Sequence, residues 1–296
     1  MKKYFIFLCM LVFAVFLTSC GKKSEIKPYA VKGEEMGKDE INELVDKYND
    51  YYENLEDEDK LYDQWYSVDY EMLYNSDDEE DYGYAYIKVD GKLYESSYTF
   101  ESKFKLTIKL EYENEDKETG IVTTASGTIK ITYIDANCYA KIDMKSTTKG
   151  EYENETMTIK EKITCDVDEI DDIVGTISES DSTRFGSISE FMQLAKSSIN
   201  SEKAKVYKSN NTYTYDTNDE NDNSSSKSMA IIKINDEFDL KEFKVYSSRT
   251  YQKDNVSSAS YMKAETKKSL GSLIVKPFGS DDYLEGSLDD IMDNWF

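Results

Sequence analysis

Phe104-Lys105-Leu106-Thr107-Ile108-Lys109-Leu110-Glu111-Tyr112 alternates apolar and polar side chains without a break. Successive side chains of a strand point to opposite faces, so this stretch predicts a strand with one buried and one wet face. Tyr98 and Phe100 extend the alternation upstream, with Ser102 its one polar member. Further upstream, Tyr66, Val68, Tyr70, Met72 and Tyr74 alternate with Ser67, Asp69 and Glu71. Tyr84 to Val89 continues the pattern, and Asp90-Gly91 predicts a two-residue hairpin leading back into the quoted strand. Downstream, Ile121 to Tyr133 forms the next strand, with a parity slip at Gly127 where a bulge fits. Cys138, Ala140, Ile142 and Met144 then face one way, and Met157, Ile159, Ile163, Cys165 and Val167 do the same after a turn near Gly150. The result is a meander of long antiparallel strands.

Two helical patterns interrupt this period. From Asp39 to about Asp57, Ile41, Leu44, Val45, Tyr48, Tyr51, Tyr52 and Leu55 share one face, with Asp39 as cap. Ser187 and Glu190 have capping-box spacing ahead of a stripe of Ile188, Phe191, Met192, Ala195 and Ile199. Short strands follow near Val206 and Tyr213, then a polar, mobile loop from Asp216 to Ser228. Strands resume at Ala230-Ile232-Ile234, around Phe243 and Val245, and around Tyr261, with an apolar stretch from Leu273 to Val275. Leu284, Leu288, Ile291, Met292, Trp295 and Phe296 have helical spacing and Ser287 as a cap. The expected fold is mainly β (α+β): a curved antiparallel sheet, a half-open β-barrel, with two or three helices packed on its concave face. Residues 39–296 make up this extracytoplasmic domain, as one unit or as two lobes, 39–175 and 185–296.

The first 20 residues address the chain. Met1-Lys2-Lys3 is a positive start, and Tyr4 to Phe16 is an apolar run containing Cys9. A spanning helix needs about 20 apolar residues, so this run is a signal peptide. It ends in Leu17-Thr18-Ser19-Cys20, which resembles the lipobox of bacterial lipoproteins. That resemblance implies removal of residues 1–19, diacylglyceryl transfer to the Cys20 sulfur and often N-acylation by a fatty acid such as palmitate. The mature protein would then sit on the outer side of the cell membrane, held through its acylated N-terminus. Residues 20–38 are polar, with Lys22-Lys23 and Pro28, and are expected to be a flexible tether.

The formal net charge is −24, and losing Lys2 and Lys3 makes the mature chain more acidic still. Phosphate backbones need Lys and Arg, so nucleic acid is excluded as a partner, and an anionic bilayer would repel this surface. With 39% hydrophobic residues and 25 Tyr, the chain has enough apolar surface to fold. There is no His, which removes Ser-His-Asp and Cys-His catalysis and His-ligated zinc. With Cys20 acylated, Cys138 and Cys165 are too few for a Cys-only zinc site. No cofactor is expected.

Other constellations are weaker. Asp219, Asn221 and Asn223 copy the start of a calcium loop, but Ser224 stands where Gly is needed and Ala230 where a bidentate Glu is needed. Four Ser-x-x-Lys spacings, at Ser102, Ser146, Ser224 and Ser260, lack partner motifs. A carboxylate pair of the glycosidase type has no positive support. The reading is therefore not an enzyme, with a carboxylate-dependent hydrolase the least favoured alternative. Cys138 and Cys165 share a face on successive strands. Pairing them sets Ala140 against Ile163, Ile142 against Glu161 and Met144 against Ile159, at a separation that suits a disulfide. A tighter turn at Lys149-Gly150 would separate them and leave two free thiols. Glu161 lies on this apolar face, so the face is wet there, a cation meets the carboxylate, or a cavity opens.

Helix, meander of long strands, helix, second meander: this order, in a lipoprotein, resembles the LolA/LppX-like half-barrel superfamily of lipid and lipoprotein carriers. The resemblance implies a curved sheet wrapped round helices with an apolar hollow between them. Phe104, Leu106, Ile108, Ile142, Met144, Ile159 and Ile163 would line the sheet side, covered by Leu44, Tyr48, Tyr51 and Leu55. A lipid or the acyl chain of a lipoprotein would be the ligand. The alternative is a surface interaction or structural lipoprotein whose same residues close a filled core.

Overall fold

The computed structural model describes residues 25–53, 63–77, 83–96, 102–116, 119–134, 137–151, 154–165, 188–253, 256–269 and 284–285. The expectations for Cys20, Leu55, Val167, Ser187, the 273–275 stretch and the tail beyond 285 lie outside these residues. The elements in chain order are β1 (Glu34–Glu35), α1 (Lys38–Glu53), β2 (Asp63–Ser76), β3 (Gly83–Ser96), β4 (Ser102–Asp116), β5 (Ile121–Ile134), β6 (Asn137–Lys149) and β7 (Asn154–Cys165). They continue with α2 (Ile188–Ser198), β8 (Ala204–Ser209), β9 (Thr212–Glu220), β10 (Ser224–Ile234), β11 (Leu240–Lys253), β12 (Val256–Ser269) and β13 (Leu284–Glu285).

All thirteen strands belong to one curved, unclosed sheet in the order β1-β8-β9-β10-β11-β12-β2-β3-β4-β5-β6-β7-β13. Every pairing is antiparallel except β13 on β7. The join between the two meanders is β12 on β2, where Ala264 faces Tyr70 and Met262 faces Met72. One sheet thus runs through both 39–175 and 185–296.

Strand parity defines two faces. The inner face carries Val206, Tyr213, Ala230, Ile232 and Phe243, which pack with Ile41, Leu44 and Val45 of α1 and Phe191, Met192 and Ala195 of α2. Both helices are amphipathic, and burial of their apolar stripes on the sheet holds them in place. The cap of α1 is Gly37 rather than Asp39: the Gly37 N–H donates to Glu40 Oε2 at 2.8 Å, and its carbonyl accepts from the Ile41 N–H. The outer face is a charged lattice in which Lys244 meets Glu265 at 3.0 Å and Glu242 at 3.2 Å, and Lys88 meets Asp69 at 3.0 Å.

Several local expectations are corrected by this sheet. Asp90-Gly91 is no hairpin: β3 runs straight through it, with Asp90 opposite Asp69 and Gly91 between Val68 and Leu106. Long flanking strands on both sides outweigh a local turn preference. Gly127 is no bulge either, because the register with β4 and β6 is unbroken there. A Cβ at Gly127 would stand 2.5 Å from the Asp143 carbonyl oxygen and 2.7 Å from Met144 Cα, so β6 approaches too closely for any side chain. The register shift that does occur lies between Lys233 and Ile234. Asp216 to Ser228 is not a mobile loop but the end of β9, a tight turn and the start of β10. In that turn Asn221 Oδ1 accepts from the backbone N–H groups of Asn223 and Ser224, an Asx arrangement. Leu284, expected in a closing helix, is in a strand.

The largest correction concerns the tether. Residues 25–37 lie on the sheet. Ile26 is 2% exposed in an outer-face cluster with Leu73, Tyr84, Tyr86, Met229 and Tyr246. Tyr29 donates its hydroxyl to the Ala264 carbonyl at 3.0 Å and lies under Lys263 Nζ, 4.3 Å from its ring centre. Burial, reinforced by Glu265 and Asp69, pushes that hydroxyl far above the usual tyrosine range. The segment then rounds the sheet edge at Gly33, whose φ of 95° and contact with the Lys208 backbone no side chain could share. It pairs with β8 as β1 and delivers Met36 to the inner-face core.

Candidate functional site

The inner face has three regions along its width. Beneath α1 and α2, the β8–β11 end is a filled core. Here the sequence expectation changes. Leu44 is buried in that core, and Tyr48 packs at its edge. Tyr48 and Tyr51 close on Phe238, each with ring centres 5.6 Å from it. Phe238 holds a left-handed φ of 51° in the turn between β10 and β11, where Asn235 Oδ1 accepts from the Asp239 N–H at 2.7 Å. The helix therefore clasps a hairpin of the second meander, and its cluster contains no residue of β2–β7. It does not cover Ile108, Ile142 or Ile163, because β8–β11 supply apolar partners nearer in the sheet.

The second region is an apolar band on β3–β7. The register places Val89, Ile108, Ile129 and Ile142 side by side, and below them Ile87, Leu110, Gly127, Met144 and Ile159. Leu106, Ile131, Ala140 and Ile163 form a third row, and Phe104 occupies a position on the same face. Ile108, Ile142, Met144 and Ile163 are buried, and Ile159 is half-buried. Tyr112 closes one end of the band; burial, offset in part by a hydrogen bond with Asn114, pushes its hydroxyl up to about 12. Glu161 faces Ile142 across the β6–β7 ladder but is exposed, so the band turns wet at its β7 margin and no charge is buried.

The third region was not visible in the sequence. At the far end of β11, β12 and β2, beyond the helices, Tyr74, Arg249, Tyr251, Ser258, Ala259 and Ser260 line a depression of about 300 Å³. Ser226 and Ser260 stand opposite Arg249 on its two flanking strands. Tyr74 lies next to Ser260, and Ala85 next to Tyr74, so this depression adjoins the apolar band through β2 and β3.

Cys138 and Cys165 are Cα partners, with Ala140 against Ile163, Ile142 against Glu161 and Met144 against Ile159, the register anticipated from the two cysteines. Among the described residues no three His, Cys, Asp or Glu side chains are grouped to hold a metal, and Asp219 is engaged by Lys203 at 2.5 Å. No described helix is long and apolar enough to cross a membrane. No protein-family model matches the chain, and no curated protein matches it.

Proposed function

We propose that this chain is an extracytoplasmic lipoprotein, anchored through acyl chains on Cys20, that holds an apolar ligand against the inner face of its half-barrel. The ligand class is a lipid or the acyl chain of another lipoprotein. The observation that carries this reading is the band on β3–β7, a wide run of buried apolar side chains that lies outside the core cluster of α1 and α2. A hollow opened along this band would stay dry or take a greasy ligand. An acyl anchor would raise the local concentration of lipid at the band.

A second reading, a surface interaction protein with a filled core, draws on the burial of Ile108, Ile142, Met144 and Ile163. The two differ on large substitutions. The chain from Gly21 onward retains every described residue and is the material for a fluorescent fatty-acid and phospholipid titration. A carrier binds saturably, and Ile142→Trp or Met144→Trp abolishes uptake with little change in melting temperature. In a filled core the same changes overpack the interior, cost about 1–3 kcal/mol, and there is no uptake to lose.

A further inference from the structure

The outer face changes character along its width. On β11, β12 and β2 its lysines and acids interleave and pair, as Lys244 does with Glu242 and Glu265. In the middle of β4–β7 the acids thin out. One row across these strands reads Thr107, Lys130, Lys141, Lys162. The two rows beside it carry Lys109 and Lys160, then Lys145. Among these three rows only Glu111 and Asp143 are acidic; Lys109 holds the first, and Lys160 lies 3.7 Å from the second. The nearest acid in the Lys130 row is Asp90, two strands away on β3. Lys130, Lys141 and Lys145 are exposed, and among the described residues their ammonium groups meet no carboxylate.

Like charges directly opposite one another on neighbouring strands destabilise a sheet. Lys130 faces Lys141, and Lys141 faces Lys162, so three lysines stand side by side at a spacing of about 4.8 Å. With 60 Asp and Glu against 36 Lys and Arg, composition alone disfavours such a row. Anions outside the protein relieve the repulsion, and a plane of anions matches a flat array of lysines better than a single ion does. The array also lies on the face that carries the docked N-terminal segment. Tyr86, which packs with Ile26, shares a row with Glu111, Ser126 and Lys145, three strand spacings or about 14 Å from that lysine. Cys20 is six residues before Ile26, at most about 20 Å away. The acidic chain as a whole is repelled by an anionic bilayer, but salt screens charges beyond about 8 Å, so the charges nearest the lipid decide the contact.

We propose that the outer face of β4–β7, through Lys130, Lys141, Lys145, Lys160 and Lys162, lies on the anionic headgroups of the leaflet that holds the acyl anchor. The proposal rests on the anchored-lipoprotein reading and adds a second membrane contact to it, independent of the apolar-ligand band. The unacylated chain from Gly21 onward, which retains every described residue, is sedimented with phosphatidylcholine vesicles and with equimolar phosphatidylcholine/phosphatidylglycerol vesicles. The wild type binds the anionic vesicles and not the neutral ones, and added salt weakens that binding. Lys130→Gln/Lys141→Gln/Lys145→Gln weakens it about tenfold or more, since each lysine near an anionic surface is worth roughly fivefold. That variant melts no lower than the wild type, because it dissolves the like-charge row. Lys47→Gln/Lys196→Gln/Lys203→Gln makes the same change in net charge on α1, on α2 and beside β8, and leaves binding unchanged. Equal weakening by the two triple variants, or no binding of the wild type to anionic vesicles, overturns the lysine face. Neither result touches the Cys20 anchor, which this unacylated protein lacks and which Cys20→Ser tests separately. Binding of soluble polyphosphate without binding of vesicles would assign the lysines to an anionic polymer and overturn the membrane contact.

Discussion

Cys138 and Cys165 face each other across β6 and β7. Opposed residues in antiparallel strands have Cα atoms about 4.5–5.5 Å apart, within disulfide range. Outside the membrane such a pair oxidises, so we expect a disulfide in the native protein. Mass spectrometry of alkylated protein, with and without reduction, checks it; labelling of both thiols in unreduced native material would rule the bond out. Breaking it with Cys138→Ser/Cys165→Ser should lower stability by about 3 kcal/mol, since the bond closes a loop of moderate length. This register was legible in advance because apolar parity on the two strands leaves few alignments, and the pairing of two cysteines selects one. Arg249 was not legible. The serines beside it are supplied from β10 and β12 by pairing, not by any local motif.

At the scale of elements, the segment from Glu25 to Gly37 shows where sequence pattern stops being informative. Ile26 stands between Glu25 and Lys27, so neither a period of two nor one of 3.6 reveals that it is buried. Only the assembled outer face offers the site, between tyrosines of β3, β11 and β12. The same dependence explains Asp90-Gly91, a strong hairpin signal overridden by β2 and β4 on either side. Strands β2, β4, β6 and β7 and both helices were legible because each carries its burial period in its own sequence. Ile26→Ala tests the docked segment. It removes a fully buried side chain and should cost about 2–4 kcal/mol in chemical denaturation. The same substitution in a free tether would change nothing, so a wild-type midpoint would contradict the docked arrangement.

At the scale of the whole molecule, the docked segment makes the proposed anchor an orienting device. Cys20 lies six residues before Ile26, a reach of at most about 20 Å even when fully extended. A tether running to residue 38 would let the domain tumble; with Cys20 acylated as proposed, one that ends at Ile26 would hold the outer face of β10, β11, β12, β2 and β3 toward the bilayer. The alternating Lys and Glu of that face keep it close to locally neutral despite the acidic chain, which limits repulsion from anionic lipid. The inner face would then be turned away from the immediate contact surface. The anchor itself is tested by Cys20→Ser, which should abolish acylation and lipoprotein-specific cleavage; if that variant still partitions into detergent after its signal is removed by another route, Cys20 is not the anchor. Orientation is tested on the acylated protein in liposomes carrying an acceptor dye, with a donor placed by Ser248→Cys on the outer face or by Ser228→Cys on the inner face of the adjacent strand. Energy transfer should be greater from position 248. A flexible Gly/Ser insert of about twenty residues between Cys20 and Glu25 should bring the two positions to equal transfer, because it restores free rotation while leaving the docked segment intact. Equal transfer before the insertion would mean that the docked segment does not orient the domain, and the half-barrel would then present both faces to the membrane in turn.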